Sequence, residues 1–83
     1  MRAPAEARPA AAVWVQIGAF SVQEKAYAVK RRLERTYAGV AVSTLVTDQG
    51  RYYRVRIRTS EAEVRSLAER LAAEGLPVII IRE

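Results

Sequence analysis

The sequence predicts an α+β domain in which a four-stranded antiparallel sheet carries two helices on one face and leaves the other face open. Three observations predict it. Apolar residues alternate one by one through residues 13–17 and 53–57, the period of a strand. They recur at helical spacing through residues 22–33 and 64–71. The two halves also repeat one plan: alternating strand, Ser-x-x-Glu, amphipathic helix, glycine, β-branched strand.

The chain of 83 residues is 51% hydrophobic, but 15 of those hydrophobic residues are alanine. That leaves enough larger side chains for one small core, and a chain this short buries only about 60% of its unfolded surface. A second domain is excluded. So is a membrane span, because no window approaches roughly 20 consecutive apolar residues. With no cysteine and no histidine, disulfides, thiol chemistry, Cys/His zinc sites and histidine-based triads are excluded as well.

Residues 1–12, MRAPAEARPAAA, are rich in alanine and proline without periodicity and read as a linker or tail. Pro4, Glu6, Arg8 and Pro9 interrupt any run that would make a signal peptide. The domain is expected over residues 13–83. Val13, Val15 and Ile17 alternate with Trp14, Gln16 and Gly18 as the first strand. Ser21-x-x-Glu24 predicts a capping box for the first helix, whose stripe is Val22, Ala26, Val29 and Leu33, with Gly39 as its stop.

Residues 40–46 are rich in β-branched side chains and form the second strand, and Asp48-Gln49-Gly50 marks a turn unlike the tight two-residue hairpin types. Residues 52–58 form the third strand, with Tyr53, Val55 and Ile57 on one face and Tyr52, Arg54, Arg56 and Arg58 on the other. Ser60-x-x-Glu63 predicts a second capping box, and Val64, Leu67, Ala68 and Leu71 the second helical stripe. Glu61/Arg65, Arg65/Glu69 and Arg70/Glu74 are spaced as i,i+4 ion pairs. Gly75 ends this helix, and residues 77–81 form the last strand. Each helix has a single apolar stripe, so both cover one sheet face. Right-handed crossovers then place strands one and three in the centre of a βαββαβ, ferredoxin-like or RNP-like domain.

The other face is where function is expected. It presents Trp14, Gln16 and Gly18 beside Tyr52, Arg54, Arg56 and Arg58. Strand two adds either Ser43, Leu45 and Thr47 or Val42, Thr44 and Val46, and pattern alone does not choose between them. Aromatic faces stack on rings, while an amide and guanidinium groups supply directional hydrogen bonds. Fourteen basic against nine acidic residues give a net charge of +5, which suits an anionic partner as well as a merely solvated face. An outward tryptophan on a central strand tips the balance to a binding surface; the alternative is a tail folded back over it.

Two stretches resemble a known family. Val15-Gln16-Ile17-Gly18-Ala19-Phe20-Ser21 is similar to the opening V-Q-h-G-S-F-s of SPOR (sporulation-related repeat) domains, and Gly50-Arg51-Tyr52-Tyr53-Arg54-Val55-Arg56-Ile57 to their third-strand motif, aromatic-x-R-V-x-h. The likeness spans the whole fold. It implies a non-catalytic peptidoglycan-binding module for glycan strands lacking stem peptides, a periplasmic or envelope location, and targeting to division sites or remodelled wall. It also implies a larger envelope protein with this domain at its C-terminal end; any chemistry of such a hydrolase, a lytic transglycosylase or an amidase, would lie outside this chain. The family's binding positions fall on Gln16, Tyr52 and Arg54, to which the alternation adds Trp14 and Arg56. Ala19 replaces the motif's serine and Arg58-Thr59-Ser60 its usual G-P-F.

The competing expectation is a single-stranded nucleic-acid-binding, RNA-recognition-like domain, which shares the βαββαβ layout. Strand three, however, carries arginine where stacking aromatics belong, so nucleic acid is not the expected partner. No carboxylate pair is spaced for glycosidase chemistry, and Ser21 and Ser60 are better explained as caps than as nucleophiles. The expectation is therefore a monomeric binding module without cofactor, metal or catalytic residues.

Overall fold

The computed structural model describes residues 13–82; the expected linker over residues 1–12 lies outside them. The elements follow the predicted order: β1 (Val13–Phe20), α1 (Gln23–Glu34), β2 (Val40–Thr47), β3 (Gly50–Thr59), α2 (Val64–Ala73) and β4 (Ile79–Arg82). The sheet order is β2-β3-β1-β4, and every pair is antiparallel. Strands one and three are central, as the crossover argument requires.

The core lies between the sheet and the two helices. Val13, Val15 and Ile17 of β1 and Val55 and Ile57 of β3 are buried with Ala26 and Leu33 of α1 and Val64 and Leu71 of α2. All of these belong to the predicted stripes; Val29 and Leu67 pack against them partly buried, and Ala68 is half-buried. The expectation fails at one residue. Val22, expected to begin the first stripe, is 42% exposed, because it precedes the helix and is extended (φ −110°, ψ 119°).

Both capping boxes are corrected. α1 starts at Gln23 with Val22 as its N-cap, and no side chain caps it; instead the Val22 carbonyl accepts from the Lys25 and Ala26 amides. α2 starts at Val64 rather than beside Ser60, again without a side-chain cap. Ser60 contributes its carbonyl, which accepts from Glu63 N–H at 3.1 Å and Val64 N–H at 2.8 Å. A backbone turn thus does what the hydroxyls were expected to do. The late start leaves Glu61 off the helix, so it pairs with Arg82 of β4 at 2.6 Å and not with Arg65. That pairing holds the Glu61 carboxyl below and the Arg82 guanidinium above their ordinary pKa values.

Glu74 is likewise drawn away from Arg70: it accepts a 2.7 Å hydrogen bond from the Tyr37 hydroxyl, while the Arg70 guanidinium lies 5.0 Å over the Tyr37 ring. Tyr37, buried just beyond α1, so ties the end of one helix to the end of the other. The hydrogen bond to Glu74, then burial and the carboxylate's charge, raise the phenol's pKa, with Arg70 acting weakly against them. The end of α2 matches the glycine rule. Gly75 (φ +86°) donates to the Ala72 carbonyl and Leu76 to that of Leu71, the paired bonds of a Schellman stop.

The β2–β3 turn is tighter than its sequence suggests. Thr47 pairs directly with Gly50, leaving a two-residue connection, Asp48-Gln49. Thr47 Oγ1 accepts from the Gln49 amide at 3.1 Å and donates to the Gly50 carbonyl at 3.2 Å. Gly50 itself sits at φ +134°. A threonine clamp and one glycine replace the usual Asn-Gly or Asp-Gly pair.

Candidate functional site: the open face of the sheet

The site follows from which residues stand directly opposite one another, since cross-strand partners share a face. Val15 opposite Ile57 and Val42 opposite Val55 belong to the core side. The pairs between them belong to the open side and form four rows. Arg58, Trp14 and Ile81 make the first; Ala41, Arg56, Gln16 and Ile79 the second; Ser43, Arg54 and Ala19 the third; Leu45 and Tyr52 the fourth. Adjacent rows are roughly 6.8 Å apart, two residues of strand. All five predicted site residues, Trp14, Gln16, Tyr52, Arg54 and Arg56, stand on this one face. The register of β2 is settled in favour of Ser43 and Leu45.

Gly18 is the correction. The pairing of β1 with β3 slips between Gln16 and Gly18, so Ile17 and Gly18 together oppose Val55 in a β-bulge. Beyond a bulge the alternation inverts. Gly18 therefore lies on the core side, Ala19 opposite Arg54 on the open side, and Phe20 packs against the core. A Cβ on Gly18 would come within 3.1 Å of the Phe20 ring, so the glycine makes room for that packing.

Small residues surround the central arginine. Ala19 and Ser43 flank Arg54, whose Nη2 donates to Ser43 Oγ at 3.2 Å. That bond holds the guanidinium toward β2. Arg54 Nε, Gln16 Oε1 and Trp14 Nε1 are buried without a hydrogen-bond partner among the described residues. Two donors and one acceptor, spread over the first three rows, thus have bonding capacity left.

Trp14 is half-buried, and the cover comes from arginine. The Arg56 guanidinium carbon lies 4.3 Å from the ring centroid and that of Arg58 5.7 Å, within the range of a cation–π contact. The tryptophan is therefore the base on which two guanidinium groups rest, and Tyr52, beside Leu45, stands at the other end of the face. Sequence reasoning placed Arg58 on this face but left it out of the site. It missed Ile79 and Ile81, because β4 faces can be assigned only from pairing with β1. Ile79 is 56% exposed and gives the second row an apolar end.

No three His, Cys, Asp or Glu side chains cluster to hold a metal among the described residues. No described helix is long and apolar enough to cross a membrane.

The family model described as "SPOR domain" matches residues 9–82. The SPOR domain of RlpA from Pseudomonas aeruginosa superposes with a TM-score of 0.74 at 25% identity, covering 86% of this chain and 99% of that one. The peptidoglycan-binding domain of the B. subtilis cell wall lytic enzyme CwlC superposes with a TM-score of 0.65 at 28% identity, covering 92% and 94%. No curated protein sequence matches the chain.

Proposed function

Because the chain belongs to the SPOR domain family, we propose that it is a non-catalytic peptidoglycan-binding module whose open sheet face takes up glycan strands lacking stem peptides. The observation that carries this reading is the row structure of that face. Gln16, Tyr52 and Arg54 stand within three adjacent rows, with buried polar atoms of Gln16 and Arg54 still unpartnered. An amide that both donates and accepts suits N-acetyl and hydroxyl groups. A tyrosine ring gives the apolar face of a sugar something to lie against. The four rows extend for roughly 20 Å, a length suited to an extended oligosaccharide rather than a single sugar. Trp14 and Arg56 support the same surface from the end opposite Tyr52.

In this reading the domain delivers a larger envelope protein to wall that is being divided or remodelled, and works in the bacterial periplasm or cell envelope. It supplies affinity and no bond-breaking chemistry. The test is co-sedimentation of the domain with purified cell-wall sacculi, before and after treatment with an amidase that removes stem peptides. The pelleted fraction is expected to rise after treatment. Equal pelleting with both preparations would remove the preference for stripped strands, and absence from both pellets would remove the function. Tight binding to single-stranded RNA or DNA, with a salt slope near −0.7 per phosphate contact, would replace it.

A further inference from the structure

Charge is unevenly placed on this molecule. The carboxylates of the described residues lie in α1, α2, the turns next to α2 and the β2–β3 turn; none stands in the four rows of the open face. That face instead carries Arg54, Arg56 and Arg58 at alternate positions of β3. Neutral hydroxyl and acetamido oxygens accept from these guanidinium groups, but only an anionic group on the glycan would also use their charge. The planar fork of a guanidinium matches a carboxylate, which it can hold through two parallel hydrogen bonds.

Arg58 is the best placed of the three. It is exposed, its backbone is pinned by a 3.0 Å bond from its amide to the Gly39 carbonyl, and its guanidinium rests over the Trp14 ring. A cation–π contact at this distance engages the ring's π face and leaves the guanidinium N–H groups able to donate. The indole thus holds the fork in place without consuming its donors.

Removal of a stem peptide changes the glycan's charge. Hydrolysis breaks the amide C–N bond: water supplies oxygen to the acyl carbon, the amine leaves, and the sugar's side chain ends in a carboxylate where a neutral amide stood. We propose that Arg58, seated on Trp14, binds this carboxylate, so that the site reads the charge left by amide hydrolysis as well as the space the peptide has vacated. The inference rests on the glycan reading above and adds to it an acidic-sugar subsite at the Trp14 end of the face.

The test compares glycan strands released from amidase-treated sacculi with the same strands after carbodiimide coupling to methylamine, which turns each carboxylate into a neutral amide. Wild-type protein is expected to bind the amidated strands about tenfold or more weakly. R58Q is expected to lose a similar factor on native strands and to bind both preparations almost alike. R58K, which keeps the charge but not the fork, is expected to fall between, and thermal melts confirm that each variant is folded. Equal wild-type affinity for the two preparations overturns the inference while leaving glycan binding intact. So does an R58Q protein that still discriminates tenfold. Failure of wild-type protein to bind native strands overturns the glycan reading itself, and this inference with it.

Discussion

The two faces of β1 and β3 are made of alternate residues of the same strands, yet they are closed in different ways. On the helix side Val15, Ile57 and Val55 are almost completely excluded from solvent beneath Ala26, Leu33 and Leu71. Their chemistry has one outlet, packing. On the other side Gln16 and Arg54 are only half-buried and hold polar atoms without partners. A buried polar group left unpaired costs free energy, a cost that the helix side, closed by apolar packing, does not carry. The comparison teaches that in β1 and β3 the packed face and the open face are separable by the parity of residue number, except beyond the bulge at Ile17 and Gly18, where the parity of β1 inverts.

Substitutions can break or sharpen that contrast, and the largest effect belongs to the closed face. Leu71→Ala should cost about 2–5 kcal/mol of unfolding free energy in urea titration, with glycan affinity unchanged wherever the variant is still folded. A cost below about 1 kcal/mol would mean that the helix side is not the main source of stability. Gln16→Ala should do the reverse, weakening sacculus binding by about 0.5–1.5 kcal/mol, the worth of a neutral hydrogen bond, with an unchanged melting curve.

Tyr37→Phe probes the tie between helix ends and should cost about 0.5–1.5 kcal/mol of stability. Its pH dependence has a definite sign. The folded phenol titrates above its ordinary value of 10.0, so its contribution is fully present below that pH and is lost as pH rises through the raised value. Urea titrations should show a constant gap between wild type and Tyr37→Phe up to about pH 10 and a narrowing gap above it. A gap that widened at alkaline pH would contradict the assigned bond. The smallest effects are expected at Ser21→Ala and Ser60→Ala, each within about 0.5 kcal/mol. A loss of 1 kcal/mol or more in thermal melts would restore the hydroxyl caps that the structure replaces with backbone turns.

What could be read from the sequence, and what could not, follows from where each signal resides. The central strands were legible because alternation is a property of one strand alone: Val13, Val15 and Ile17 declare a face whatever lies beside them. The bulge was not, because it exists only in the pairing of two strands, and Gly18 was accordingly assigned to the wrong side. β2 was ambiguous because VAVSTLVT has apolar or hydroxyl residues on both faces; the partnership of Val42 with Val55 resolves it. Ser-x-x-Glu misled twice, since the pattern specifies residue types that suit a cap while the backbone of Val22 and Ser60 already supplied the bonds. The site residues were legible as members of one face. The stacking of Arg56 and Arg58 on Trp14 was not, because it depends on side-chain rotamers across two strands.

The separation of faces is tested most directly by paired variants of β3, Arg54→Ala on the open side and Ile57→Val on the closed side, each measured for melting and for affinity to amidase-treated sacculi. Arg54→Ala should lose about ten- to hundredfold in affinity, the worth of a charge-assisted bond, with stability held within about 1 kcal/mol. Ile57→Val should lose about 0.5–1.5 kcal/mol of stability and keep its affinity. Arg65→Ala, on the exposed face of α2, should change neither. If Arg65→Ala weakens binding as much as Arg54→Ala, or if Ile57→Val weakens it more, the partner is not held by the open face and the account is contradicted.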